Sequence, residues 1–390
     1  MSFSILKSLK KNEEISYKNS YYPYLIVGSE FSSFKMLDFL RENCGDESVR
    51  LLTSHTVNSD DLCFAGMRPL RGKTNIELFQ KIEPGIHLGE KLCQSVFYKD
   101  QKFRTFGGRA KPASMLDNED FFTSESMPVD MNQLTPKSFT NPGDTIHECI
   151  VSKIIHKNES NSGKWQLYTK NNEILECDYL VFAEPLAKFL SLFSKTDSLE
   201  KKLIDACGAA GRRRGFAIHF TAPWKITDRL ETLFIPQSLT YDWGHFIGEF
   251  LEFDQEKGVQ EFSFFSLIDD ENSSPAELSK KIRNLKRSIQ RVFGEIRGEF
   301  SKDSKTSLIK EKIVFLDQVP SYFENDCDFD NLMWKTSDLF FIGAGSPIEK
   351  KYLEENNLDY NRAEISHLVR SMLSVSQITS KFNVEKKHFF

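Results

Sequence analysis

The sequence has no CxxC pair, and its seven cysteines (Cys44, Cys63, Cys93, Cys149, Cys177, Cys207 and Cys327) are scattered and odd in number. That pattern offers neither a structural zinc site nor a disulfide framework, and it predicts a reduced, intracellular, cytoplasmic protein. Long apolar runs are missing too. The longest, Tyr179 to Phe193, is broken by Glu184, Pro185 and Lys188, so no membrane span is expected, because a span needs ~20 apolar residues. Residues 1–20 are a polar leader without the apolar centre of a secretory signal. There is no excess of positive charge: 51 basic residues face 56 acidic ones, for a net charge of −5, and no nucleic-acid partner is expected. The eight histidines show no HxH or HExxH spacing, so no metal ligand set is read. No GxSxG elbow or P-loop is present, which leaves hydrolase and kinase chemistry without a motif. What is plentiful is phenylalanine, 34 of 390 residues against 4 Trp and 11 Tyr, enough aromatic area for a sizeable core. A chain of this length accommodates two domains, or one with an insertion.

The first regular signal is a β-turn-α-β unit. Tyr24-Leu25-Ile26-Val27 is an apolar run of strand length that stops at Gly28. From Ser32 to Cys44 the period becomes helical, with Ser33, Met36, Leu37, Leu40 and Cys44 on one face, and Gly45-Asp46 ends the helix. Val49 to Thr53 is the next strand. Two doubly buried strands around a helix are how a parallel sheet begins. Residues 55–95 read as turns at 67–72 and 83–85, Ser95 to Phe106 as a hairpin, and 110–145 as loops with short helices. Further on, Ile146–Ile155 reads as one strand, Trp165–Thr169 and Glu173–Cys177 as a hairpin, Tyr179–Ala183 as a buried strand, and Leu186–Phe193 as a helix. Gly215–Thr221, Thr232–Ile235, His245–Phe253 and Glu261–Ile268 read as an antiparallel meander. Ser274-Pro275 then opens a helix to Phe293 with an apolar stripe at Ile282, Leu285, Ile289 and Val292. Lys312–Leu316 and Leu339–Gly343 are strands, and Asn361–Ser374 is a last helix.

The junction Val27-Gly28-Ser29-Glu30-Phe31-Ser32-Ser33 sits where a dinucleotide site carries GxGxxG. In that motif the first glycine makes the turn, the second admits the pyrophosphate and the third lets helix and strand pack closely. Here Gly28 holds the first place, the small Ser33 the third, and Glu30 the second. A carboxylate there adds bulk and charge where an anion would meet bare backbone N–H groups. Two unit charges ~4 Å apart repel by about 1 kcal/mol in water and about 4 at an intermediate dielectric. A carboxylate at a helix start also complements the helix dipole, so a βαβ unit that keeps its shape without its ligand is an equal reading. The second strand ends at Thr53-Ser54-His55 without the acid that would hold a ribose. Ser54 is the nearest substitute.

With these motifs the chain resembles the flavin-dependent amine oxidase and phytoene desaturase family. Ile146–Ile155, Trp165-Gln166-Leu167 and Cys177 to Pro185 resemble that family's second FAD-domain block, where a hairpin returns to the sheet and ends in the Ala183-Glu184-Pro185 turn. Phe340-Phe341-Ile342-Gly343-Ala344-Gly345, before a helix, resembles its C-terminal flavin motif, although the family's acid after the glycine is Ala344 here. Gly107-Gly108-Arg109 matches the family's GGR triplet in composition but comes much later in the chain, and reads as coincidence.

The resemblance implies an α/β fold: a Rossmann-like FAD/NAD(P)-binding domain from 21–60, 140–195 and 335–380, an insertion at 61–139 with a hairpin and loops, and an α+β substrate-like domain at 210–334. The cofactor it implies is FAD, at Gly28, Ser29, Glu30, Ser33, Ser54, Ala183, Pro185, Gly343, Ala344 and Gly345. The activity it implies is that of an FAD-dependent oxidoreductase acting on a small-molecule substrate, with no catalytic residue assigned. The three altered positions (Glu30, Ser54 and Ala344) support the alternative, a catalytically silent protein of this fold that serves as a binding or scaffold module with a protein partner. Gly211-Arg212-Arg213-Arg214-Gly215 reads as a solvated connection, with phosphate binding as its second reading. Trp224, Tyr241, Trp243 and His245 read as core aromatics before pocket walls. If the three strands ending at Gly28, Ala183 and Gly343 are parallel neighbours, those ends converge on one crevice.

Overall fold

The computed structural model describes residues 18–54, 70–86, 88–89, 92–106, 125–127, 129, 134–141, 143–157, 163–184, 186–193, 214–237, 245–268, 274–296, 308–316, 338–343, 346, 348, 350–357 and 367–389. In chain order, the first strands are β1 (Lys18–Tyr21) and β2 (Tyr24–Val27), followed by helix α1 (Phe31–Cys44) and β3 (Val49–Thr53). Next come β4 (Leu70–Arg71), α2 (Lys73–Ile82), β5 (Ser95–Lys99), β6 (Lys102–Thr105), β7 (Ser126–Met127) and the short α3 (Lys137–Thr140). The middle of the chain holds β8 (Ile146–Glu148), β9 (Val151–His156), β10 (Trp165–Thr169), β11 (Glu173–Cys177), β12 (Tyr179–Phe182) and α4 (Leu186–Leu192). Then follow β13 (Arg214–Ala222), β14 (Thr232–Pro236), β15 (His245–Phe250), β16 (Gln260–Ile268), α5 (Pro275–Val292), β17 (Lys310–Leu316), β18 (Leu339–Phe341), α6 (Lys350–Glu355) and α7 (His367–Phe389).

Five strands form an all-parallel sheet in the order β18-β12-β2-β3-β8. Both faces are covered, which is why its strands read as unbroken apolar runs. One face (Ile26, Leu51, Val181, Phe340) packs with Phe34, Leu37 and Leu40 of α1 and Leu368, Val369 and Met372 of α7. The other (Leu25, Val27, Leu180, Phe182, Phe341) packs with Ile154, Trp165, Leu167 and Leu175 of a four-stranded sheet, β1-β11-β10-β9, and with Phe189 of α4. A fully buried leucine of this kind contributes about 1.5–3 kcal/mol.

The third sheet has seven strands in the order β17-β13-β16-β15-β14-β5-β6. One face carries Phe216, Ile218, Phe220, Phe250, Phe262 and Phe264, packed on Leu285 and Ile289 of α5. That helix starts as its sequence predicts: Ser274 caps it by accepting from the Glu277 N–H, with Pro275 at the first position.

The structure changes several expectations. Residues 18–20, assigned to the leader, lie in β1, which pairs in parallel with β11. Ile146–Ile155 is not one strand. It breaks at Cys149-Ile150, and β8 joins the parallel sheet while β9 joins the four-stranded one. The hairpin at 95–106, placed in an insertion, extends the seven-stranded sheet through β5 alongside β14. The meander is incomplete, because β13 pairs with β16 and β17 rather than with β14. Residues 70 and 71, read as part of a turn, form β4, and residues 73–82, given no element by the sequence, form α2.

Candidate functional site

The strands β2, β12 and β18 stay zipped one residue beyond their ends. Ala183 N donates to Val27 O at 2.8 Å and Ile342 N to Phe182 O at 3.0 Å. Gly28, Ala183 and Gly343 therefore converge on one crevice at the carboxyl edge of the sheet, where ligands of open α/β sheets bind. Of the predicted site residues, Pro185, Ala344 and Gly345 lie outside the described residues, as do Arg109, Arg212 and Arg213. Ser54 is exposed, one residue past β3.

Two glycines in the crevice cannot be replaced freely. A β-carbon on Gly28 would stand 2.7 Å from Ser33 Oγ and 2.8 Å from Ala183 Cβ. The larger Ser33, where the motif has its third glycine, fits because Gly28 leaves it space. Gly343 has φ +106°, and a β-carbon there would stand 3.3 Å from Glu30 Oε2 and 3.4 Å from Ser32 Oγ. Its N–H donates to Ser374 Oγ of α7 at 2.8 Å, so this turn is held from behind.

Glu30 is the N-cap of α1, with extended backbone (φ −90°, ψ 167°), but its side chain makes no capping hydrogen bond. It reaches across toward Gly343 instead. In the same turn, the hydroxyls of Ser29, Ser32 and Ser33 are buried without hydrogen-bond partners. Burial pushes the Glu30 carboxyl up to about 7, the nearby Glu184 adds to the rise, and Lys188 opposes it. Lys188 is itself paired with Glu184, at 2.7 Å.

Two features of this turn suit the pyrophosphate of a dinucleotide: a bare Gly343, and three buried hydroxyls, Ser29, Ser32 and Ser33, that lack partners. Glu30 does not suit it. Its side chain fills the gap between the helix start and Gly343, and when ionised it presents a negative charge beside Glu184. With Glu30 ionised and in place, the crevice does not fit the pyrophosphate of FAD.

Neither Ser32 nor Lys188 stood out as a site residue in the sequence. Ser32 stands next to the motif position rather than on it, and Lys188 reaches the crevice only because α4 follows β12 directly. A second polar assembly was also unforeseen. Arg71 of β4 donates to Thr232 Oγ1 at 3.0 Å and is paired with Glu249, while Thr232 Oγ1 donates to Glu249 at 2.8 Å. All three are buried. Of the aromatic candidates, Trp224 packs beside the core under α5, His245 is buried against Phe234, and Tyr241 and Trp243 lie outside the described residues. Burial pushes the Cys149 thiol up to about 12 and Cys177 well above its ordinary range, so neither is poised as a nucleophile. Among the described residues no group of three or more His, Cys, Asp or Glu could hold a metal, and no helix is long and apolar enough to cross a membrane.

No protein-family model and no curated protein matches the sequence. Solved structures do. An oxidoreductase from Methanosarcina mazei superposes with a TM-score of 0.57 at 10% identity, covering 93% of this chain and 100% of its own. Putrescine oxidase, solved with putrescine bound, superposes with a TM-score of 0.56 at 10% identity, covering 94% of this chain and 100% of its own. A Pyrococcus furiosus protein superposes at 0.51 with 11% identity, covering 89% of this chain and 100% of its own. The chain shares their fold. The resemblance to flavin-dependent amine oxidases read from the sequence therefore holds at the level of architecture. At this identity the likeness carries the fold alone.

Proposed function

We propose that this chain is a catalytically silent protein of the flavin amine oxidase fold, which keeps the crevice as a binding site and does not retain FAD as a resident cofactor at neutral pH. The observation that carries this reading is the Glu30 side chain, which spans the crevice to Gly343 at the place a pyrophosphate would need. The exposed Ser54 where the ribose acid would stand supports it. So do two acidic side chains at the crevice, Glu30 and Glu184; among the described residues the cation acting on Glu30 is Lys188, which is already paired with Glu184. The division into a dinucleotide-binding-like domain and a substrate-like domain is part of the same proposal.

A visible spectrum of the purified full-length protein tests it. The expected result is no flavin band, and none retained after incubation with FAD and gel filtration at neutral pH. A stoichiometric flavin that survives purification would overturn it. That result would favour the second reading, an FAD-dependent oxidoreductase, for which the unpartnered hydroxyls of Ser29, Ser32 and Ser33 speak. In that case FAD would supply hydride acceptance, and the protein orientation and a dry pocket.

A further inference from the structure

The start of α1 offers backbone N–H groups and the positive end of a helix dipole, the usual receptor for a phosphate. Here the nearest anionic group is the chain's own. Glu30 sits at the N-cap without capping the helix, and its Oε2 lies over Gly343 in the gap between the two glycine turns. The buried Ser32 hydroxyl lies beside this place without a partner, and those of Ser29 and Ser33 in the same turn also lack partners, which is costly unless something else accepts from or donates to them.

We propose that Glu30 is a built-in occupant of the phosphate cradle, and that a phosphate-bearing ligand enters only when this carboxyl is neutral, so that binding takes up one proton. The proposal rests on the reading of the crevice as a retained binding site. An ionised Glu30 and a phosphate cannot share the cradle: both are anions, and both need the same space. A neutral Glu30 loses the repulsion, gains a donor hydrogen for a phosphate oxygen, and is free to swing out.

The charged groups acting on Glu30 among the described residues are Glu184, just past β12, and Lys188, in the first turn of α4. The residues facing it from α1 and from the end of β18, Ser32 and Gly343, carry no charge. Burial and Glu184 both favour the neutral form, and the carboxyl titrates at about 7, within the range where such exchange is felt.

The test is calorimetric titration of the full-length protein with ADP, in phosphate-free buffers of differing ionisation enthalpy, at about pH 6 and about pH 8. For the wild type, linkage predicts affinity about tenfold weaker at the higher pH, with close to one proton taken up per ADP bound there. Glu30→Gln, which keeps the shape and removes the charge, should bind equally at both pH values and at least as tightly as the wild type at the lower one. Glu30→Gly should do the same if Glu30→Gln fails to fold. A pH-independent wild-type affinity, a variant that keeps the wild-type pH dependence, or no ADP binding at either pH would each overturn the proposal. It and the silent-protein reading fail separately. Copurified flavin ends the latter whatever the ADP titration gives, and pH-independent ADP binding ends the former in a flavin-free protein.

Discussion

Glu30 Oε2 lies 3.3 Å from the point where a β-carbon on Gly343 would stand, although the two residues belong to opposite ends of the chain. This contact couples the first turn of the parallel sheet to the last. Gly343→Ala should cost about 1–3 kcal/mol, because φ +106° is strained for any side chain and the methyl would press on Glu30 and Ser32. In a Glu30→Gly background the pressing contact with the carboxylate is gone and the backbone strain remains, so the cost should fall but not vanish. Urea unfolding of the four proteins measures this, and additive costs would mean that the two residues are not in contact.

The same carboxyl gives a pH dependence of stability with a definite sign. Its ordinary value is 4.5 and the folded chain raises it to about 7. Between these values the folded state holds a proton that the unfolded state has released. Stability is therefore greatest below about 4.5 and is lost as pH rises through about 7, by up to about 3 kcal/mol from this group alone. Glu30→Gln should gain on the wild type by much more at pH about 8 than at pH about 5. Denaturant midpoints at the two pH values decide it. An equal difference at both would place the carboxyl in an ordinary, solvated environment.

Much of this crevice was legible in the sequence. The strands Tyr24–Val27, Tyr179–Phe182 and Leu339–Phe341 are unbroken apolar runs because both faces of the sheet are covered, and Gly28 and Gly343 mark their ends. The period of α1 predicted the burial of Met36, Leu37 and Leu40. What escaped was set by distant partners. Nothing local says that β5 pairs with β14, or that the run from Ile146 changes sheets at Cys149-Ile150. Helix α2 escaped because it starts at Gly72 without a side-chain cap and follows a strand of two residues. The direction of the Glu30 side chain, on which the functional reading turns, depends on Gly343 being bare, and sequence order hides that adjacency.

Arg71 and Glu249 are separated by 178 positions and meet in a buried ion pair with Thr232. Desolvation offsets much of such a pair's attraction, but removing one partner strands the other charge. Glu249→Ala should destabilise by about 3–5 kcal/mol, while Arg71→Met with Glu249→Leu should cost much less. Thermal and denaturant unfolding of the two proteins makes the comparison. A mild Glu249→Ala effect would mean that Arg71 finds water or another acceptor.

Ser32 and Ser33 distinguish a crevice shaped for a ligand from one merely left over. Both residues are fully buried and both hydroxyls lack partners. A buried hydroxyl with no hydrogen bond carries a desolvation cost of about 1–3 kcal/mol, so its removal should stabilise the ligand-free protein or leave it unchanged. Ser32→Ala, with its hydroxyl 3.4 Å from the would-be β-carbon of Gly343, is the cleaner variant, because Ser33 also fills the space above Gly28. If the hydroxyl serves a ligand, the same variant should bind ADP several-fold more weakly at about pH 6 while melting no lower than the wild type; a net hydrogen bond of about 1 kcal/mol sets that scale. Opposite effects on stability and on binding are the signature of a group held in place for something outside the chain. A Ser32→Ala protein that melts clearly lower would show that the hydroxyl has a structural partner after all, and the ligand argument for it would fall.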